Sequence, residues 1–336
     1  MRDDPGTVAA LGEFGLIAEL SAWLPPDGRA LVGIGDDAAV LAAPDGRVVA
    51  TTDFLLEGRH FRRDWSSGRD VGHKAAARSL ADVAAMGAVP TALLVALAVP
   101  GDLPVSWARD LAAGLAAECA RAGAIVAGGD TARAPSVLLA VTGLGDLAGR
   151  APVLRSGAAP GDVVAVAGTL GHAAAGLALL SAGLTSEPLV AAQLRPAPPY
   201  DAGPEAAGLG ATAMIDVSDG LLADLGHVAD ASGVLIDVNS AALRPGEPLL
   251  AAARAVAAAR RPFDRTVHGS PLEPAEASLR WALTGGEDHA LVATFPPGVT
   301  LPSRWTVIGE VRQGHGVVVD GQAWAGEVGW DHFAGG

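Results

Sequence analysis

The chain has 336 residues, half of them hydrophobic and 18% charged, which excludes a wholly disordered protein. Its 23 basic against 37 acidic residues give a net charge of −14, which excludes a broad nucleic-acid-binding surface because phosphate backbones need clustered Lys and Arg. The single cysteine, Cys119, forms no intrachain disulfide and excludes zinc sites built on paired cysteines. In chain order, Phe14, Ile17, Leu20 and Leu24 at helical spacing predict a helix over 12–24. A strand over 31–34 ends at Gly35-Asp36-Asp37, and a second over 47–52 ends at Asp53. A helix over 71–86 is closed by Gly87, and a buried strand follows over 91–99. A helix over 107–122 stops at Gly123, a strand over 124–127 runs into Gly128-Gly129-Asp130, and another strand covers 136–144.

The stretch 145–161 is rich in turn residues, so two domains are expected, 1–148 and 149–336. The second holds a strand over 162–167, a helix over 172–182 and a Pro- and Gly-rich surface excursion over 187–211. A strand over 213–217 feeds a helix over 221–231, and a strand covers 234–238. Helices over 249–260 and 274–281 and strands over 290–295 and 317–319 complete the set. The alternation predicts an α/β (α+β) protein whose domains are sheets covered by helices. The apolar run 91–100 is too short for a bilayer, which needs about 20 residues. The acidic N-terminus lacks a signal-type stretch, so a cytoplasmic protein without a membrane partner is expected.

The main chemical signal is positional. Asp36, Asp37, Asp53, Asp82, Asp130, Asp216 and Asp219 fall where strands or helices are predicted to end in glycine-rich turns, and such turns collect ligand groups in α/β folds. One Asp in a turn ordinarily caps a helix or closes an Asx turn. Clustered carboxylates repel, and a shared divalent cation is their simplest joint explanation. Ligands made only of oxygen favour Mg²⁺, Mn²⁺ or Ca²⁺ over zinc. In Thr51-Thr52-Asp53 two hydroxyls accompany the carboxylate, and alternation puts Thr51 and Asp53 on one face. Asp216 and Ser218 likewise share a face, while Ser218 or Asp219 is an alternative N-cap. Asp82 follows Arg78 by four residues, so an i,i+4 ion pair stands beside metal ligation for it.

Lys74, the only lysine, follows no Gly-rich loop, so a Walker A motif is absent. Phosphate handling then falls to cations held by the aspartates and to arginine, with Arg155 in the interdomain turn as the candidate. Gly128-Gly129 before Asp130 permits close backbone approach to a phosphate. Gly33-Ile-Gly35 followed by two acids does not fit a dinucleotide fingerprint. His60, a short loop after Asp53, and Glu287 in Gly285-Gly286-Glu287-Asp288 are substrate-contact candidates or structural residues. Trp330 either stacks on a flat ring or pins the chain end.

These motifs resemble, in order and along nearly the whole chain, the thiamine-monophosphate kinases of the aminoimidazole-ribonucleotide-synthetase-like superfamily. They are Gly12-Glu-Phe-Gly-Leu-Ile17, Gly33-Ile-Gly-Asp-Asp37, Thr51-Thr-Asp53, Glu57-Gly-Arg-His60, Ser79-Leu-Ala-Asp82, Gly128-Gly-Asp130-Thr, Arg155-Ser-Gly, Pro160-Gly-Asp162, Ile215-Asp-Val-Ser-Asp-Gly-Leu221, Gly285-Gly-Glu-Asp288 and Trp330-Asp-His-Phe333. The resemblance implies ATP-dependent phosphorylation of thiamine monophosphate to thiamine diphosphate. It implies several Mg²⁺ ions on Asp37, Thr51, Thr52, Asp53, Asp82, Asp130, Asp216 and Asp219. It implies ATP on Gly129, Asp130, Arg155 and Ser218, the thiamine phosphate on His60, Glu287 and Trp330, and Asp53, Asp130 and Arg155 at the chemistry. It further implies a homodimer joined through the N-terminal sheets, with the nucleotide between domains. His289 stands where these kinases usually have tyrosine, and Arg59 where a smaller residue precedes the histidine.

Related enzymes fit less well. A selenophosphate synthetase is expected to carry a reactive Cys or Sec and a lysine near its N-terminus, and a hydrogenase-maturation homologue a C-terminal cysteine motif. Phe333-Ala-Gly-Gly has none. A non-catalytic homologue that binds metal or nucleotide is the alternative from another class.

Overall fold

The computed structural model describes residues 7–24, 30–32, 40–186, 188–243, 245–259 and 272–330. The chain divides into two compact units, Met1–Ala151 and Pro152–Gly336. The first contains α1 (Val8–Ser21), β1 (Ala30–Val32), β2 (Val40–Leu41), β3 (Val49–Leu56), α2 (Gly68–Ala85), β4 (Val89–Val99), α3 (Val105–Ala122), β5 (Ile125–Arg133) and β6 (Leu138–Asp146). Its main sheet runs in the order β3-β6-β4-β5, antiparallel except for the β4–β5 pair.

Helices α2 and α3 pack together against one face of this sheet. On β6 every second residue is buried, the pattern of a strand with one covered face. The runs Ala75-Ala76-Ala77 and Ala84-Ala85 make α2 thin enough to be buried almost throughout. A capping box starts α2 three residues earlier than predicted: Ser67 Oγ accepts the Asp70 N–H at 3.2 Å, and Asp70 Oδ2 accepts the Ser67 N–H at 2.9 Å. At Gly143 a Cβ would lie 2.7 Å from the Ser79 carbonyl oxygen. Glycine there lets α2 settle onto β6 and β3. The other face carries Ala50, Thr52 and Phe54 of β3, with Phe54 56% exposed.

The second unit contains β7 (Val163–Ala167), α4 (His172–Ser181), α5 (Leu189–Leu194), α6 (Ala202–Gly208), β8 (Ala213–Asp216), α7 (Leu221–Ser232), β9 (Leu235–Val238) and α8 (Ser240–Leu243). It continues with α9 (Glu247–Ala259), α10 (Pro274–Thr284), β10 (Leu291–Phe295), β11 (Trp305–Arg312), β12 (Gly316–Val319) and β13 (Gln322–Ala323). Its sheet runs β13-β12-β9-β11-β7-β10-β8. Val164, Val166, Ile215, Ile236, Val292 and Ile308 of this sheet bury themselves against Leu221, Leu225 and Val228 of α7. Each such side chain contributes about 1.5–3 kcal/mol of burial.

Two expectations are corrected here. The stretch expected as a surface excursion includes α5 and α6, and Leu189 and Val190 of α5 are buried with the core of α4 and α9. The sequence reading also passed over β11, a strand interior to the sheet between β9 and β7. Its register shifts between Val307 and Gly309, which breaks the period-2 pattern. No helix among the described residues is long and apolar enough to cross a membrane.

Candidate functional site

In the first unit, α2 delivers its polar side chains onto β3. Thr51 Oγ1 donates to Asp82 Oδ2 at 2.7 Å, and Ser79 Oγ donates to Asp53 Oδ2 at 2.9 Å. Arg78 Nη2 lies 3.9 Å from Asp53 Oδ1. Thr51, Asp53, Ser79 and Asp82 therefore form one half-buried patch of hard oxygens with a guanidinium at its edge. Thr52 is not part of it. Its side chain is on the uncovered face, where Thr142 Oγ1 donates to it at 3.4 Å.

Asp53 and Asp130 were expected at the ends of their strands and lie inside them, while Asp82 is on its expected helix. Asp53 lies within β3, Asp130 within β5 and Asp82 within α2. The reason is that strand pairing continues through the glycines: β5 stays hydrogen-bonded to β4 as far as Arg133. A Cβ on Gly129 would stand 2.0 Å from the Val95 carbonyl oxygen, so this glycine is required by the approach of two strands. Register also separates Asp53 from Asp130. Asp53, Val141, Val95 and Gly129 form one cross-strand row, and Phe54, Ala140, Ala96 and Asp130 form the next. Adjacent rows face opposite sides of a sheet, and three strand spacings separate β3 from β5, about 14 Å. Among the described residues, no three or more His, Cys, Asp or Glu side chains form a ready-made metal cage. Asp37 lies outside the described residues.

Beside Gly129 the first unit has a cavity of about 120 Å³. Ile17 and Leu20 of α1, Leu111 and Leu115 of α3, and Val95 and Val126 of the sheet line it, with the backbone turn-free segment Gly128–Thr131 along one edge. His60 sits in the loop after β3, where its Nδ1 accepts the Leu56 N–H at 3.0 Å. Neutral His60 therefore carries its proton on Nε2. Glu57 fixes that loop by accepting from Arg63 and from the Val137 N–H.

In the second unit three segments meet. Asp216 closes β8, and Val217-Ser218-Asp219-Gly220 leads into α7. The Glu287 N–H donates to the Ser218 carbonyl at 2.8 Å, and the Trp330 N–H to the Asp219 carbonyl at 2.9 Å. Ser218, Asp219, Glu287 and Trp330 are thus brought together through their main chains. Glu287 and His289 have φ of 69° and 51°, left-handed conformations that side-chain-bearing residues adopt at a cost of about 1–3 kcal/mol. His289 Nδ1 lies 3.0 Å from Asp216 Oδ2, both side chains buried. Asp288 turns the other way and accepts the Gly171 and Ala173 N–H groups at the start of α4. Burial pushes its carboxyl up to about 7, against the effect of those bonds.

The sequence reading missed Asp224. It is buried on the first turn of α7, and its Oδ2 accepts the N–H groups of Ser218, Asp219 and Gly220 at 3.0, 3.1 and 3.1 Å. The cap expected from Ser218 or Asp219 is absent: the N-cap is Gly220, without a side-chain cap bond. Burial, and then the charges of Asp216 and Asp219, push the Asp224 carboxyl up to about 7. Arg155 is not brought to Ser218. Its carbonyl accepts from Ser232 Oγ at the far end of α7, and a helix of twelve residues is about 18 Å long.

Two α/β units, with oxygen-rich patches on a sheet in one and at a strand-to-helix turn in the other, define a two-unit α/β protein with sites suited to phosphate and cation. The family model described as AIR synthase related protein, N-terminal domain, matches residues 35–147. The thiamine-monophosphate kinase of Mycobacterium tuberculosis (strain CDC 1551 / Oshkosh) is 46% identical over 329 residues, covering 97% of this chain and 93% of its own. A crystal structure of thiamine-monophosphate kinase from Stenotrophomonas maltophilia K279a superposes with a TM-score of 0.75 at 33% identity, covering 92% of this chain and 96% of its own. AaThiL complexed with AMPPCP and TMP gives 0.75 at 34% identity, covering 96% and 97%. The chain belongs to the thiamine-monophosphate kinase family.

Proposed function

We propose that this chain transfers the terminal phosphoryl group of ATP directly, in line, to the phosphate of thiamine monophosphate, with Mg²⁺ assisting. The reaction is ATP-dependent phosphorylation of thiamine monophosphate to thiamine diphosphate, a phosphotransfer with a phosphate as acceptor. An ATP analogue with TMP on a relative 34% identical supports both substrates. The meeting of Ser218, Asp219, Glu287 and Trp330 in the second unit carries the reading.

The acceptor oxygen is already ionised at neutral pH, so a strong general base is unnecessary. The obstacle is repulsion between two anions on a chain of net charge −14. Mg²⁺, when bound, neutralises phosphate oxygens and the charge that develops on the transferring group. The residues present fit it. Thr51, Asp53 and Asp82 offer hard oxygens, and Asp216 and Asp219 crowd Asp224 with negative charge that a cation relieves. Asp37 is proposed for the same set, and Asp130 for a cation held together with Thr52 on the other face of the sheet.

Gly129 and the apolar cavity beside it take the adenine ring, whose flat face suits the leucine and isoleucine walls. At thiamine monophosphate, His60 donates from Nε2 to the phosphate, Glu287 accepts from the amino group and Trp330 stacks on a ring. Ser218 and Arg155 serve ATP from opposite ends of α7. The proposed roles of Gly129 and Asp130 belong to the first domain, residues 1–148, and those of Ser218 and Arg155 to the second, residues 149–336. The uncovered sheet face bearing Phe54 supports a homodimer joined there.

The test is a KM split. Glu287→Gln and Trp330→Ala are each expected to raise KM for thiamine monophosphate about tenfold while KM for ATP stays within about twofold, from loss of one or two ligand contacts. Unchanged KM for thiamine monophosphate in both variants would overturn the substrate assignment.

A further inference from the structure

One buried carboxylate has no role of its own in the proposed chemistry. Asp224 faces away from solvent, yet one of its oxygens gathers three consecutive backbone N–H groups, those of Ser218, Asp219 and Gly220. Three successive amides converging on one acceptor form a concave nest for negative charge. The same turn is gripped from outside by its carbonyls. Ser218 accepts from the Glu287 N–H and Asp219 from the Trp330 N–H. Every N–H of the turn thus points inward to Asp224, and two of its carbonyls point outward to the segments carrying Glu287 and Trp330. The peptide planes are fixed on both sides, which fixes where the Ser218 and Asp219 side chains project.

We propose that Asp224 is a positioning residue for the reaction: it holds the 218–220 turn so that Asp219 and Ser218 meet cation and nucleotide while Glu287 and Trp330 meet the acceptor. The inference rests on the proposed function and adds a residue to it. Asp224 touches no substrate. It acts through backbone that four site residues share, so removing it disturbs cation, nucleotide and acceptor binding together.

An ordinary helix-capping role predicts something different. A lost cap lowers stability and leaves the binding constants of the folded protein alone. A lost positioning carboxylate weakens cation binding, and outer residues of this kind typically matter about 10- to 100-fold.

The experiment compares the full-length wild type with Asp224→Ala and Asp224→Asn. Mg²⁺ binding is measured by calorimetry without turnover, KM for both substrates by steady-state assay, and folding by circular dichroism. Asp224→Ala is expected to weaken Mg²⁺ binding at least about tenfold and to raise both KM values in protein that is still folded. Asp224→Asn keeps an acceptor oxygen in the nest and is expected to recover most of that loss. Should Asp224→Ala not fold, Asp224→Asn against Asp224→Leu decides on the same readouts. Wild-type Mg²⁺ affinity and KM values in Asp224→Ala, with only a lower Tm, would overturn the inference. So would an Asn variant as impaired as the Ala variant. A wild type that binds Mg²⁺ yet does not phosphorylate thiamine monophosphate overturns the function and leaves the calorimetric arm to judge Asp224.

Discussion

The carboxylates differ in what holds them, and this sets what their removal does. Asp53 takes a hydrogen bond from Ser79 and faces Arg78. Asp53→Asn keeps the shape and the serine contact but removes the charge. It is expected to lower kcat at least about 100-fold while shifting Tm by only a few degrees, since the lost interaction is with phosphate-bound cation. Retention of more than half the activity contradicts the metal role. Cys119 gives a control in the opposite sense. Burial, and then the neighbouring Glu118 charge, push its thiol up to about 12, so the thiolate that reacts is scarce. Native protein is expected to resist thiol reagents at pH 8 and to be labelled fully in denaturant; fast native labelling contradicts the burial of Cys119. At this scale the sequence displayed residue types well and directions only in part. Alternation put Thr51 with Asp53 on one face and Thr52 on the other, the face that Asp130 shares. Asp130 was misplaced because its neighbours Gly128-Gly129 read as a turn, although they serve the close approach of β4 and β5. Asp224 was passed over because an acid in a helix's first turn is ordinary; only the three converging amides distinguish it.

The elements carry the residues, and their weak points are specific. Helix α2 brings Ser79 and Asp82 to β3 and begins with the Ser67–Asp70 box. Ser67→Ala is expected to cost about 1 kcal/mol in urea denaturation, with little change in kcat for the folded fraction. Gly129→Ala is more severe. A methyl 2.0 Å from the Val95 carbonyl forces β5 from β4, an overpacking cost of about 1–3 kcal/mol or more. That variant is expected to lose ATP affinity as well as stability, because the apolar cavity borders the same glycine. Wild-type KM for ATP in folded Gly129→Ala contradicts the placing of adenine. Stop glycines at 87 and 123 made α2 and α3 legible, to within a few residues at their ends. The strand β11 was not, because Gly309 and a register shift interrupt it and its burial comes from neighbours remote in sequence. Helices α5 and α6 hid in a proline-rich stretch, where six or seven residues carry too little periodicity to be read.

For the whole molecule, two buried carboxyls set a pH dependence. Asp288 and Asp224 are both raised from 3.8 to about 7 in the fold. Raised acid pKa values mean that the folded state binds more protons than the unfolded one. Their contribution to stability is fully present below about 3.8 and is lost as pH rises through 7. Without Mg²⁺, Tm is therefore expected to fall between pH 6 and 8. Added Mg²⁺ is expected to raise Tm, and more at pH 8 than at pH 6, because charge repulsion around Asp216, Asp219 and Asp224 is then largest. A Tm that climbs from pH 6 to 8 in chelator contradicts this. The turn-rich stretch near 145–161 set the expected boundary, and the chain divides into two compact units between Ala151 and Pro152. The spatial relation of acids distant in sequence was not legible, because each is positioned by packing that no local pattern records.

The most direct measurement is of product. Purified wild-type protein is mixed with ATP, Mg²⁺ and thiamine monophosphate, and ADP and thiamine diphosphate are quantified together. One ADP per thiamine diphosphate is expected, with neither formed when thiamine monophosphate is omitted or the cation is chelated. ADP release at the same rate without thiamine monophosphate, or no thiamine diphosphate under any of these conditions, would contradict the account.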